Sequence, residues 1–84
     1  MPQIDLQIQR AIADHIAWDR RASPSKDTHE PRVIVQSPHS GEKVARRPFY
    51  RRGHWSVRWT GIARLTNPQE VNGIIVFTAD WSRP

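Results

Sequence analysis

The chain contains no cysteine and no apolar run long enough to cross a bilayer. Without thiols it forms neither disulfides nor thiolate metal sites, so its fold does not depend on an oxidising compartment. The N-terminal segment MPQIDLQIQR also lacks an apolar signal core. We therefore expect a cytoplasmic protein that has no membrane partner.

Acidic residues are scarce beside basic ones. The 84 residues include 13 Lys and Arg against 8 Asp and Glu, which gives a net charge of +5, and the sequence pI is about 11.1. Such a surplus favours polyanionic partners, so we expect nucleic acid or an acidic surface of a host protein. A chain of this length is expected to form a single small domain, residues 1–84, with a modest core. A homodimer is a further candidate assembly, because docking would supply additional burial.

An amphipathic helix is predicted over about residues 4–21, because apolar side chains recur there at three- and four-residue spacing. The stripe consists of Ile4, Ile8, Ala11, Ile12, His15 and Trp18. Residues 22–31, with the sequence ASPSKDTHEP, are polar and contain two prolines, which predicts a linker between the helix and the rest of the chain.

The remaining chain, about residues 32–82, has the composition of a small sheet. Residues 32–36 (RVIVQ) are β-branched, and the run from His54 to Thr60 alternates strictly between apolar and polar side chains. Residues 73–81 begin with apolar side chains on both faces, which favours a central strand. We predict the α+β class, with one N-terminal helix packed on a small three- to four-stranded antiparallel sheet.

Turn residues suggest how these strands are connected. Asn67–Gly73 is predicted to be a loop, so that the tryptophan-rich strand before it and the apolar strand after it form an antiparallel hairpin. Gly53 is expected to mark a bulge or bend, and Pro48 places its segment at a sheet edge or bulge, because proline has no ladder donor.

The segment Ala45–Leu65 (ARRPFYRRGHWSVRWTGIARL) combines arginines with aromatic residues and contains no acid. Alternation puts Trp55 on a core face and His54 on the opposite face, so the polar face is expected to present positive charge. Guanidinium groups match phosphate oxygens, and an exposed ring stacks on bases. The candidate residues for binding nucleic acid or a partner are Arg46, Arg47, Tyr50, Arg51, Arg52, His54, Arg58 and Arg64.

The other chemical signals are weak. No two histidines have the spacing of zinc ligands, so we predict no metal site and no cofactor. The tryptophans are interpreted as core residues, because a small domain needs their buried area. Asp80 is expected to form an ion pair with a strand arginine, and no catalytic residue is assigned.

The stretch Arg51-Arg52-Gly53-His54-Trp55, with Trp59 after it and Trp81 at the end of an apolar strand, resembles small uncharacterised proteins of bacterial phages and plasmids. Those proteins carry an RRGHW-like stretch followed by a strand that ends in an aromatic residue. The resemblance covers roughly the C-terminal half of the chain. It implies a mobile-element setting and no particular activity or site residues.

Three functions are compatible with these observations. The first is a small basic, non-enzymatic protein of a phage or mobile element that binds nucleic acid through an arginine-rich strand face. The second is an anti-CRISPR-like inhibitor that binds a host protein, such as a nucleic-acid-processing defence enzyme. The third is a small ribonuclease toxin in which His54, between Arg52 and Arg58, acts as a general base.

Overall fold

A computed structural model describes residues 3–25 and 28–81, in which one helix precedes six strands. These elements are α1 (Gln3–Ala22), β1 (Val33–Gln36), β2 (Lys43–Arg46), β3 (Phe49–Arg51), β4 (His54–Arg58), β5 (Ile62–Val71) and β6 (Ile74–Asp80). The α+β class with one N-terminal helix is therefore confirmed. Predictions about the side chain of Ile4, linker positions 26–27 and the sheet beyond residue 81 fall outside the described residues.

The six strands form one mixed sheet in the order β2-β1-β6-β5-β4-β3. The β1–β6 pair is parallel, and every other pair is antiparallel. The central position predicted for the apolar strand at residues 73–81 is confirmed, because β6 lies between β1 and β5. The predicted three or four antiparallel strands were wrong in number, because turns divide the predicted strands more often than expected. They were also wrong in direction at one pair, because β1 and β6 are parallel.

One of these turns lies at Gly53, where a bulge or bend was expected. Arg51 and His54 are opposite each other in the β3–β4 pair, so Arg52 and Gly53 form a two-residue hairpin loop. Their φ angles are 50° and 81°. Positive φ at both loop residues is the geometry that matches the twist of the flanking strands. Gly53 thus reverses the chain.

The predicted loop at Asn67–Gly73 was also wrong. Strand β5 continues to Val71, and only Asn72 and Gly73 form the turn into β6. The pairing shifts between Thr66 and Gln69, which indicates a β-bulge, and Asn67 has a φ of 47°. Because the bulge absorbs the Asn67-Pro68 pair, the strand resumes beyond it. A pair of turn-forming residues therefore interrupts the register without ending the strand.

A third turn explains why the expected hairpin partners are not adjacent. The alternation in β4 ends at Arg58, and residues 59–61 reverse the chain into β5. Thr60 and Gly61 have φ angles of 47° and 104°, and the Trp59 N–H donates to the Gly61 carbonyl at 2.9 Å. The alternation was predicted to continue past Gly61 to Leu65 as one strand, but the turn divides it into β4 and β5. The antiparallel hairpin with β6 is therefore formed by β5, and β4 lies one strand further away.

The two edge strands are joined by a very short connection. Only Arg47 and Pro48 separate the end of β2 from the start of β3. Three residue steps span at most about 11 Å, whereas the edges of six flat strands lie about 24 Å apart. The sheet must therefore curl until its opposite edges approach each other. Pro48 suits this junction, because it has no N–H to leave unpaired.

The core lies between α1 and one face of this curled sheet, which we call the core face. Ile8 and Ala11 of the helix are buried together with Val35, Phe77 and other strand residues. Three tryptophans are partly buried and pack against this cluster, namely Trp55, Trp59 and Trp81. The core assignment of Trp18 was wrong, because its side chain is 50% exposed. Helical periodicity identifies a stripe but does not show where the sheet beneath it ends.

Polar contacts fix the helix over the sheet. The indole N–H of Trp55 donates to the Asp5 carboxylate at 2.5 Å, and the Arg10 guanidinium donates to Glu70 at 2.5 Å. At the other end of α1, His29 Nδ1 lies 2.6 Å from Asp19 Oδ2. The contacts of Asp5 and Arg10 therefore join the helix to β4 and β5, and the Asp19–His29 contact joins its C-terminal end to the segment that leads into β1.

A double-mutant cycle tests the Trp55–Asp5 contact. We expect Trp55→Phe and Asp5→Ala to be coupled by about 1–2 kcal/mol in the free energy of unfolding, because the acceptor is a carboxylate. Urea denaturation measures each variant, and Trp55→Phe combined with Glu42→Ala, an exposed acid that no contact joins to Trp55, serves as the control cycle and should be additive. Strictly additive effects would show that the contact adds nothing to stability.

His15 gives a pH-dependent contribution to stability. Burial lowers the pKa of His15, the nearby Asp19 raises it, and Arg32 lowers it further. His15 Nδ1 is buried without a hydrogen-bond partner among the described residues. The fold therefore favours neutral His15, and its contribution is present above the unfolded pKa near 6.5.

We expect the contribution of neutral His15 to the free energy of unfolding to be lost as the pH falls through the pKa of His15 in the unfolded chain towards its lower pKa in the folded protein. Over this range the unfolded chain binds more protons than the folded protein. The free energy of unfolding of His15→Gln should fall less than that of the wild type over this range. Urea denaturation at several pH values measures the difference, with His39→Gln as the exposed control. Parallel pH profiles for wild type and His15→Gln would contradict the assignment.

Candidate nucleic-acid interface

The strand register determines which side chains share the face of the sheet opposite α1, which we call the outer face. Directly paired residues point to the same side, and Ser56 is opposite both Phe49 and Arg64. Arg64 is in turn opposite Asp80. Alternation then places Arg51, His54 and Arg58 on the same face.

A cavity of about 830 Å³ lies on the outer face beside the Arg52-Gly53 turn, and we call it the turn cavity. Three arginines contribute to its wall, together with polar and apolar side chains from β4, β5 and the end of β6. The lining residues are Arg51, Arg52, His54, Ser56, Thr60, Gly61, Ile62, Arg64, Asp80 and Trp81.

A second cavity of about 350 Å³ lies where β2 passes into β3, and we call it the edge cavity. Its walls are Arg46, Arg47, Pro48, Phe49 and Arg58. The curl of the sheet creates this cavity, because it brings the end of one edge strand beside the far end of β4. Two arginines that precede Pro48 thus meet a third that lies twelve or eleven residues later in the sequence.

The two cavities follow one strand. His54 lines the turn cavity and Arg58 lines the edge cavity, and both side chains belong to the outer face of β4. Four residue steps along a strand span about 13 Å. Between them lies Ser56, whose side chain is only 2% exposed. The six predicted arginines therefore form two groups of three, one at each cavity. They do not all share one face, because Arg46 is opposite the buried core residue Val33 in the β1–β2 pair.

These arginines have little acidic compensation. Asp80 is the only acid among the described residues that line either cavity, and it lies opposite Arg64 across the β5–β6 pair, as the expected pairing with a strand arginine requires. No carboxylate in residues 3–25 and 28–81 is within ion-pairing distance of Arg47, Arg51 or Arg58. Unneutralised like charges at close range cost stability, and an anionic ligand removes that cost.

His54 and Arg64 make a direct contact in the turn cavity. Arg64 Nη1 lies 3.4 Å from His54 Nε2. A guanidinium nitrogen can only donate, so a hydrogen bond here requires a neutral His54 whose Nε2 accepts. The imidazole is exposed and held beside cations, which suits a contact to a ligand. In the described part of the chain, no cluster of metal-ligating side chains accompanies it.

Tyr50 is the one predicted site residue that lines neither cavity. It alternates with Phe49 and Arg51, so it points to the core side at the β3 edge. Its ring is 61% exposed and meets Trp55 edge to face, with 5.5 Å between centroids. Tyr50 was predicted as a site residue because an exposed aromatic ring can stack on bases. Alternation from Arg51 indicates Phe49 instead, because Phe49 and Arg51 point to the same face of β3.

Two apolar residues of the turn cavity were not predicted as site residues. Trp81 was assigned to the core, and it does pack there partly, but it also lines the cavity. Ile62 is 40% exposed on β5. Ile62 and Trp81 line the cavity because the chain turns at residues 59–61. No repeating pattern in the sequence predicts that turn.

No protein-family model matches the chain, and no curated protein or solved structure shows significant similarity to it. No helix within residues 3–25 and 28–81 combines the length and apolarity needed to cross a bilayer.

Substitutions in the hairpin turns test whether Arg52 is suited to its backbone conformation. Asn accepts positive φ more readily than Arg, so we expect Arg52→Asn to stabilise the fold by about 0.5 kcal/mol or more. The converse change, Asn72→Arg, should destabilise by a similar amount, because it places Arg at the equivalent position of the other two-residue turn. Thermal and urea denaturation measure both. A destabilising Arg52→Asn would show that the side chain supports the fold itself.

Proposed function

We propose that this protein is a small, non-enzymatic nucleic-acid-binding protein whose phosphate-contacting surface is the outer face around the two cavities. The observation that carries the proposal is the gathering of six arginines around cavities lined by a single described acid. Such planar, permanently charged groups match the oxygen geometry of phosphates and donate bidentate hydrogen bonds to them.

The electrostatic asymmetry of the molecule supports this proposal. Several acids are engaged on the helix side, where Asp5 accepts from Trp55 and Glu70 pairs with Arg10. The outer face keeps Arg51 and Arg58 without carboxylate partners in the described chain. A polyanion approaching the molecule would therefore be steered towards one side of it. We also propose that the protein acts in the cytoplasm and comes from a phage or another mobile element.

A salt titration tests this function. We expect fluorescence anisotropy to show binding of a labelled oligonucleotide of about 16 nucleotides, with an affinity that falls steeply as salt rises. The double variant Arg51→Gln with Arg52→Asn should weaken binding to all sequences alike. If both side chains contact phosphates of a single strand, the slope of log K against log salt should decrease by about 1.4.

The matched control is Arg20→Gln with Arg21→Gln, which removes the same charge from the last turn of α1. This control should leave the salt slope nearly unchanged. No binding at low salt would refute the proposal. Equal losses in the two double variants would show that net charge, and not the outer face, controls binding.

The same surface would also fit an acidic patch on a host protein, as an inhibitor of a nucleic-acid-processing defence enzyme requires. Complementary charge gives such a complex speed and specificity. A pull-down that recovers one host protein, combined with no affinity for free DNA or RNA, would favour this alternative.

His54 in the turn cavity is the residue that a ribonuclease would use as its base. We propose binding without cleavage, so labelled RNA incubated with the protein should remain intact on a denaturing gel. Cleavage that disappears in His54→Ala would instead support a small ribonuclease toxin. The variant Tyr50→Ala, which alters neither cavity, controls for a contaminating nuclease.

A further inference from the structure

We infer that the outer face is specific for single-stranded nucleic acid and seats one unpaired base in each cavity. This inference rests on the proposed function and narrows its ligand. It follows from the fact that each arginine-lined cavity also contains a large apolar aromatic side chain, Trp81 in the turn cavity and Phe49 in the edge cavity.

Phe49 is placed for stacking by the strand register. It is opposite Ser56 on β4, so its ring points to the outer face. It is half-buried and lines the edge cavity beside Arg47 and Arg58. A surface that bound phosphates alone would not need a phenyl ring in the same cavity as the arginines. A base that stacks on this ring would leave its own phosphate within reach of those arginines.

Trp81 is a rigid platform. Its indole N–H donates to the Trp59 carbonyl at 2.7 Å, and the two indole centroids are 5.2 Å apart. These contacts fix the ring at the end of β6 while part of it lines the turn cavity. The exposed Ile62 adds apolar surface beside it. A ring that is already immobilised loses little conformational entropy when a base stacks on it.

The spacing of the cavities distinguishes a single strand from a duplex. His54 and Arg58, which line the two cavities, are four residues apart on β4, a span of about 13 Å. A flexible single strand that follows β4 can turn a base into each cavity. In a duplex the faces of the bases are stacked inside the helix, so no base could stack on Phe49 or Trp81 without leaving the duplex.

The decisive probes are three kinds of labelled ligand of about 16 nucleotides. These are a single strand of mixed sequence, in DNA and RNA forms, a single strand whose sugars carry no bases, and a duplex of the mixed sequence. We expect the base-containing single strand to bind about tenfold or more tightly than the abasic strand, and more tightly than the duplex. Anisotropy at one fixed salt concentration measures all three.

Substitutions at Phe49 then assign the effect to a residue. Phe49→Leu should reduce affinity for the base-containing strand about fivefold to tenfold and leave abasic-strand binding unchanged. Phe49→Tyr retains a ring and should retain binding. Tyr50→Leu is the matched control, because it removes an exposed ring of the same strand that lies outside both cavities. Circular dichroism confirms that each variant is folded.

Equal affinity of the wild type for abasic and base-containing strands would overturn the inference. So would equal or tighter binding of the duplex. Either result would leave the proposed function standing, since phosphate binding would still be observed. Failure of all three ligands to bind at low salt would instead refute the proposed function itself.

Discussion

The two-residue connection between the opposite edges of the sheet is the constraint on which the rest of the structure depends. Because Arg47 and Pro48 must bridge β2 and β3, the six strands cannot lie flat. The resulting curl wraps one face around the valine and phenylalanine core and lets a single helix cover it. It also moves Arg46 and Arg47 next to Arg58. One local connection therefore sets both the core and the charged surface.

Repulsion within the cationic surface lowers the stability of so small a domain. The fold therefore places the buried core on one face of the sheet and the like charges on the other. Burial is concentrated on the core face, where Val57, Ala63 and Phe77 are fully inaccessible to solvent. The acids Asp5 and Glu70 are engaged with that side of the molecule. Strand alternation then leaves the outer face to carry like charges with little local compensation. The repulsion among them is the cost of a surface that recognises a polyanion.

The sequence predicts the parts of the structure that depend on local periodicity. The helix, the apolar central strand and the shared face of His54, Ser56 and Arg58 follow from spacing alone. The turns follow less well, because Thr60 and Asn67 adopt positive φ that their own side chains do not demand. Predicting the site would also require the strand register and the curl of the sheet. No periodic pattern places Arg64 beside His54, or Phe49 among the arginines of β2 and β4.

The parallel pairing of β1 with β6 governs the order in which the molecule assembles. Ile34 pairs with Val76, 42 residues further along the chain, so the first strand waits for the last. The hairpins β3–β4 and β5–β6 are local and can form early, whereas joining β1 to β6 closes a long loop. During synthesis, Ile8 and Ala11 have no complete surface to cover until β6 has left the ribosome. Nascent chains of this protein therefore expose the apolar stripe of α1 until β6 has emerged.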